Sequence, residues 1–568
     1  MQQKKRIGIG FEFYKEFLDK QLYYVDKTLL IRDLLAQGGK VSLFTRPRRF
    51  GKTLALTMLK TFFEYEIGRD GKQVDNSRYF AGRKIMKAGE EFTRHLGRYP
   101  VVFLSLKSAK QPTYQMAYQV LVQDLIGEFG RHGYILDSGC LTDEEQQKYR
   151  LLLSGKAKEE AYATSLKFLS HCLYQYHGQN TVILLDEYDV PLENAWFEGF
   201  YEEMIGFIRS LFESALKTND HLELAVLTGC LRISRESIFT GLNNLEVFSV
   251  LAEEFAEYFG FTQTEVEEML AYFELQGKRE EAREWYDGYL FGQTEVYNPW
   301  SMINYVKRAL SNYEAFPRPY WSNTSSNAIV RDLVELADAD RKKELENLMA
   351  GGSVEKPIHE EITYGDIHES PDNLWNFLFF TGYMKKIEER QDGRRVYVTM
   401  TIPNQEILYI YENTIYEWFN RKIQQADVTP FYEALLCGDC EGLERFISHQ
   451  LAASISYFDN NESFYHGYLA GVLGRLEGYG MDSNREHGNG RPDLVLSPYS
   501  PRGTAIIIEL KRADKFSQMD ELCEAALAQI EDKNYAAELI DFGYRKILKY
   551  GFCFCRKTCM VRKNEDMN

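Results

Sequence analysis

The sequence predicts an α/β chain: a mostly parallel sheet covered by helices on both faces, then a mainly helical middle, then a second α/β domain. Three observations predict this. Four apolar runs alternate with helix-like segments over residues 1–260. Charged and aromatic segments of helical texture fill residues 261–400. Strand-like runs around a single helix close residues 401–568. A chain of 568 residues is also too long for one core, which makes two or three domains the expectation.

The first strand is "VSLFT" at 41–45, short and wholly apolar in character. "GKTLALTMLKTFFEYE" follows, with Leu54, Met58, Leu59 and Phe62 on one side of a helix. Three further runs read as strands: "PVVFLSL", "NTVILLDEYD" and "LELAVLTG". Alternation of strands with helices implies parallel pairing with both faces covered. In the middle segment, Asn298 before Pro299 marks a helix start, because Asn caps and Pro suits the first turn. The aromatic stretch 285–305 around it reads as packing in a lid rather than a ligand cage. Further on, "RPDLVLSP" and "GTAIIIELKR" are strand-like, "MDELCEAALAQIEDKNYAAELI" is helical, and "KYGFCFCRK" is expected to be the last strand.

A net charge of −17 argues against a general nucleic-acid coat, yet leaves room for a local basic groove. No apolar run is long enough for a membrane span, and the start "MQQKKRIGIGFEF" shows no apolar segment of the length expected of a signal peptide. Nine cysteines at irregular spacing then suggest reduced thiols in a cytoplasmic protein.

"SLFTRPRRFGKTLALTML" carries the first chemistry. It follows the phosphate-loop pattern G-x-x-x-x-G-K-[ST] at Gly51, Lys52 and Thr53, but Arg46 stands at the first glycine. Backbone N–H groups at a helix N-terminus surround an anion, the lysine reaches terminal phosphates, and the hydroxyl binds Mg²⁺. Arg48, Arg49 and Phe50 belong to the same loop. The three arginines would balance phosphate charge or face outward; the residues alone leave both open. Downstream, "LLDEYD" supplies Asp186 for the metal and Glu187 to orient water. G-K-T recurs by chance, but G-K-T followed by an apolar strand ending in Asp-Glu points to a nucleotide site.

Together "YYVDKTLLIRDLL", "FTRPRRFGKTLALTML", "LLDEYD" and "WYDGYLFG…VYNPWS" resemble the bacterial AAA-ATPase-like family over about residues 7–310. In that family Arg-Pro-Arg-Arg-Phe-Gly-Lys-[Ser/Thr] is the usual loop, so the resemblance makes Arg46 a family trait. It implies an AAA-type P-loop fold binding ATP with Mg²⁺. It also implies that Thr228 stands where a polar residue senses the γ-phosphate, and that Arg232 or Arg235 acts as an arginine sensor. A plain strand end and a solvated helix are the competing readings of those three.

"GRPDLVLSPYSPRGTAIIIELKR" carries the second chemistry. Glu509 and Lys511 share one face of a strand, with Leu510 opposite. A hairpin would bring Asp493 beside them. Two carboxylates can hold Mg²⁺, which activates water and stabilises charge on a phosphate, with a lysine placing the water. The residues resemble the PD-(D/E)xK nuclease superfamily. That resemblance implies a further metal-binding acid on an earlier helix, with Glu462 first and Glu486 second, and a later Gln and Tyr, with Gln529 and Tyr535 as candidates. A surface hairpin with a salt bridge is the bland alternative.

Cys437, Cys440, Cys553, Cys555 and Cys559 invite a metal cluster, but Cys553 and Cys555 read better as small core residues of one strand face. His466 and His487 show no ligand spacing. The resulting expectation is an ATPase whose C-terminal domain cleaves nucleic acid, DNA ahead of RNA, under ATP control. The rival is a nucleotide-controlled switch that binds nucleic acid or protein without cutting. A homo-oligomer stays open, and no membrane is involved.

Overall fold

The computed structural model describes residues 4–567, apart from residue 69 and residues 233–237, 240–242, 322–327, 336–337, 361–369, 426, 453–461 and 484–490. The chain divides into two compact units. One comprises Met1–Ile329 with Ser353–Ile410, the other Val330–Gly352 with Tyr411–Asn568. Among the described residues no helix is long and apolar enough to cross a membrane.

The first unit is built on five strands: β1 (Val41–Thr45), β2 (Val101–Ser105), β3 (Thr181–Asp186), β4 (Leu222–Gly229) and β5 (Leu245–Phe248). All pair in parallel, in the spatial order β2-β3-β4-β1-β5. Every residue of β1 and β3 is buried, as expected where helices cover both faces. α1 (Lys52–Phe63) follows β1 and α2 (Tyr114–Arg131) follows β2. The side chain of Thr113 caps α2 by accepting the Met116 N–H. α3 (Ser165–His177) leads into β3 and stops at Gly178, whose φ of 62° supplies the left-handed terminus. β5 escaped the sequence reading because "LEVF" is only four residues long and half-buried at the sheet edge.

The order has one consequence for function. β4 lies between β1 and β3, so the end of β4 stands between the loop after β1 and the carboxylates ending β3. The crevice beyond the carboxyl ends of parallel strands is where such sheets bind ligands.

Residues 261–400 carry helices and also two three-stranded antiparallel sheets that the sequence did not announce. The first joins β6 (Phe261–Thr262), β7 (Tyr289–Phe291) and β8 (Thr294–Tyr297). α4 (Pro299–Ser311) then starts where expected, with the Asn298 side chain accepting the N–H groups of Trp300 and Ser301. Tyr286, Tyr297 and Tyr305 of the aromatic stretch are core residues. The second sheet joins β9 (Val354–Ile358), β10 (Lys385–Asp392) and β11 (Arg395–Thr401).

The second unit contains α5 (Glu462–Leu473), β12 (Tyr479–Ser483), β13 (Leu494–Pro498), β14 (Thr504–Arg512), α6 (Met519–Asp532), β15 (Lys546–Cys555) and β16 (Thr558–Met567). The five strands lie in that order; only β14 and β15 are parallel, joined across α6. β15 is therefore not the last strand: β16 returns beside it and covers its edge. Cys553 and Cys555 pack with Ala513, Met519 and Cys523 in a small core, and among the described residues no three His, Cys, Asp or Glu side chains gather to hold a metal.

Gly551 of β15 faces α6. A Cβ there would stand 2.4 Å from the backbone oxygen of Cys523. Gly551→Ala is expected to push α6 off the sheet and cost about 1–3 kcal/mol in urea unfolding. Gly471→Ala, in a helix with open space around it, is the control and is expected to be neutral or slightly stabilising.

Candidate functional site

The loop between β1 and α1 opens into a cavity of about 370 Å³, within the range of small-molecule sites. Arg48, Arg49, Phe50, Gly51, Lys52, Thr53 and Glu187 all line it. Gly51 has φ 83°, a left-handed turn that glycine makes without strain, and Arg49 has φ 71°, which a residue with a Cβ adopts only under strain. Arg46 does not take positive φ, so glycine is not required at that position.

Each side chain of the loop has a definite place. Lys52 is buried and its ammonium donates to the carbonyls of Arg46 at 2.8 Å and Pro47 at 2.9 Å. Thr53 donates its hydroxyl proton to Asp186 Oδ2 at 2.7 Å. Thr228, at the end of β4, donates to the other oxygen of Asp186 at 2.6 Å. Asp186 and Thr228 are buried and do not themselves line the cavity; Thr53, which does, joins Asp186 to its wall. Glu187 adopts φ 52°, and its carboxyl is pushed above the usual range by burial and by the neighbouring Asp186 charge.

The arginines part company. Arg48 donates to Glu193 Oε1 at 2.6 Å. Arg49 stacks over the Trp300 ring at 4.4 Å. Arg46 faces neither phosphate nor solvent: it turns into the core and is fully buried. Burial pushes its guanidinium down to about 9, which leaves it a cation at neutral pH. The Phe50 ring packs on Tyr289 and Phe291, so only its backbone can meet a ligand. Arg232 does not line the cavity and pairs with Glu360 at 3.5 Å. Arg235 lies outside the described residues.

Sequence reasoning missed several lining residues. Glu12, Lys107, Asp189, Cys230 and Trp300 all border the cavity. Asp189 was visible in "LLDEYD"; it accepts the Cys230 N–H at 2.7 Å and the Leu231 N–H at 3.1 Å. Glu12 and Lys107, bonded to each other at 2.8 Å, had no local signal because they meet only in three dimensions. The hydroxyl and carboxylate at Thr53 and Asp186 are hard oxygen donors of the kind Mg²⁺ selects.

In the second unit, β13 and β14 form the expected hairpin, with Leu494 opposite Ile508. Asp493 stands just before β13 and accepts the Leu510 N–H at 2.8 Å through Oδ2. Glu509 is only 3% exposed. Its Oε1 takes a hydrogen bond from Lys511 Nζ at 3.1 Å and another from the Gln529 amide on α6. Gln529 also reaches the Tyr535 hydroxyl at 3.4 Å. Glu509 Oε2 is buried without a partner, which is the kind of orphaned oxygen a cation would satisfy. Burial and the Asp493 charge push the Glu509 carboxyl up to about 7 against the pull of Lys511.

α5 begins at Glu462, whose side chain lies outside the described residues, as do Glu486 and His487. His466, whose spacing in the sequence signals no ligand role, lies one turn along α5 and places Nε2 3.1 Å from the Asp493 carbonyl and 3.2 Å from Ser483 Oγ.

Residues 8–239 match the model of the family described as "Predicted AAA-ATPase". Residues 460–564 match the PD-(D/E)XK nuclease superfamily. The chain is 27% identical over 551 residues to a protein of Azotobacter chroococcum mcd 1 described as "Uncharacterized protein in vnfD 5'region", covering 94% of this chain and 93% of that one. No solved structure matches the chain.

The raised Glu509 carboxyl predicts a pH effect on stability. The fold favours its neutral form, a preference fully present below the usual value near 4.5 and lost as pH rises through about 7. In metal-free buffer, wild type measured against Glu509→Gln is expected to lose about 3 kcal/mol of relative stability across that window, read by urea unfolding at each pH.

Proposed function

Because residues 8–239 form an AAA-ATPase-like domain and residues 460–564 a domain of the PD-(D/E)XK nuclease superfamily, we propose that the chain binds and hydrolyses ATP and cleaves nucleic acid phosphodiesters under its control. The observation that carries the first half is the buried Asp186 carboxylate, held between the Thr228 hydroxyl and that of Thr53, which lines the cavity. The second half rests on the unpartnered Glu509 Oε2 beside Asp493 and Lys511.

In the first site Lys52 exchanges its two loop carbonyls for phosphate oxygens, and the loop N–H groups enclose the anion. Bound Mg²⁺ would neutralise developing charge on the phosphates. Thr53 and Asp186 hold it, and Thr228 fixes the Asp186 carboxylate so that one oxygen points at Thr53. Glu187, on the same turn, orients the attacking water. Arg48 and Arg49 border the phosphates from the loop.

In the second site Asp493 and Glu509 hold the metal, with Glu462 as a third candidate ligand, and bound Mg²⁺ would supply an activated water. Lys511 places that water, and Gln529 fixes the Glu509 carboxylate from α6. DNA is the substrate proposed ahead of RNA, in the cytoplasm. The net charge of −17 favours a local contact over tight non-specific duplex binding at physiological salt.

Two measurements test this. Glu187→Gln is expected to retain ATP binding while losing turnover by about 10²-fold or more; unchanged turnover removes Glu187 from the reaction. Glu509→Ala is expected to abolish Mg²⁺- or Mn²⁺-dependent cleavage across a panel of DNA and RNA, with and without ATP. Cleavage that survives unchanged in the variant removes the Asp493–Glu509 pair as a nuclease site, and wild type that never cuts leaves the binding-switch reading in its place.

A further inference from the structure

Arg46 is an expensive residue to keep. It is fully buried, and its Nη1 donates to the carbonyls of Thr45 at 2.9 Å and Phe248 at 2.7 Å. The Phe259 and Phe291 rings flank it, with centroids 5.3 Å and 5.1 Å away. Its Nε and Nη2 have no hydrogen-bond partner. No carboxylate pairs with it among the described residues, and burial disfavours its charged form. A buried cation without a counter-charge is destabilising unless something compensates it.

The position of Arg46 identifies the compensation. It sits at the root of the loop whose N–H groups and Lys52 are built to receive an anion, and Lys52 itself is tied to the Arg46 carbonyl. The neighbouring Arg48 already has Glu193, and Arg49 has the Trp300 face. Arg46 has no carboxylate beside it among the described residues. Low-dielectric surroundings screen its field weakly, so the field reaches charges beyond contact distance.

We infer that Arg46 sets the nucleotide site's preference for phosphate charge: its missing counter-ion is the polyphosphate of the bound nucleotide, felt through the loop without contact. This rests on the nucleotide-binding reading above. It makes Arg46 a positioning and specificity-determining residue. The empty protein bears the cost of the buried cation, and each added phosphate relieves more of it.

The test is calorimetric titration of the full chain with ATP, ADP and adenosine, for wild type and Arg46→Met, which keeps the apolar stem and removes the charge. The variant without ligand is expected to melt no lower than wild type. Its ATP affinity is expected to fall about tenfold, its ADP affinity less, and its adenosine affinity within about twofold. Arg46→Lys, which restores the charge, is expected to restore most of the ATP-over-adenosine preference. An equal loss for all three ligands, or no loss for ATP, overturns the inference. Should Arg46→Met not fold, Arg46→Lys against Arg46→Gln decides by the same three affinities. Wild type that binds no ATP overturns the nucleotide reading itself; wild type that binds ATP beside an unaffected variant overturns only the role of Arg46.

Discussion

The first unit depends on one buried carboxylate. Asp186 ends β3 and is held by two hydroxyls, one from α1 and one from β4. Both oxygens are satisfied without water, so three separate segments are locked to one point. Because β4 lies between β1 and β3, this arrangement exists only in that strand order. A sheet with β1 beside β3 would leave Thr228 at an edge, away from the carboxylate.

The second unit solves a similar problem with less satisfaction. Glu509 receives Lys511 and Gln529 on one oxygen, while the other stays buried and unpartnered. The close approach of α6 to β15, allowed by Gly551, brings Gln529 to that carboxylate. A helix displaced outward by a single methyl group would weaken this contact. In both units a carboxylate is taken out of water and its geometry is imposed by neighbours from distant parts of the chain.

The arginine-rich loop shows how similar side chains are sorted by their surroundings. Arg46, Arg48 and Arg49 lie within four positions, and each meets a different environment: aromatic core and carbonyls, a glutamate, and an indole face. Composition alone treats them as one basic cluster. The backbone separates them, because Arg49 takes a left-handed turn and Arg46 continues from a buried strand.

Local sequence was enough to place the strands "VSLFT" and "TVILLD", the Asn298 cap, and the hairpin pairing Asp493 with the Glu509 strand. These depend on periodicity, capping and short loops, which neighbours in sequence decide. β5, β16 and the two small antiparallel sheets were not legible, since short or polar strands gain their pairing only from partners. The same limit hid the Glu12–Lys107 contact and the His466 approach to Asp493, and it left Arg46 undecided between solvent and phosphate. Sequence by itself determined which residues could carry phosphate and metal chemistry. Tertiary structure decided which of them meet, because burial and strand order join groups as distant in the chain as Thr53 and Asp186, 133 positions apart.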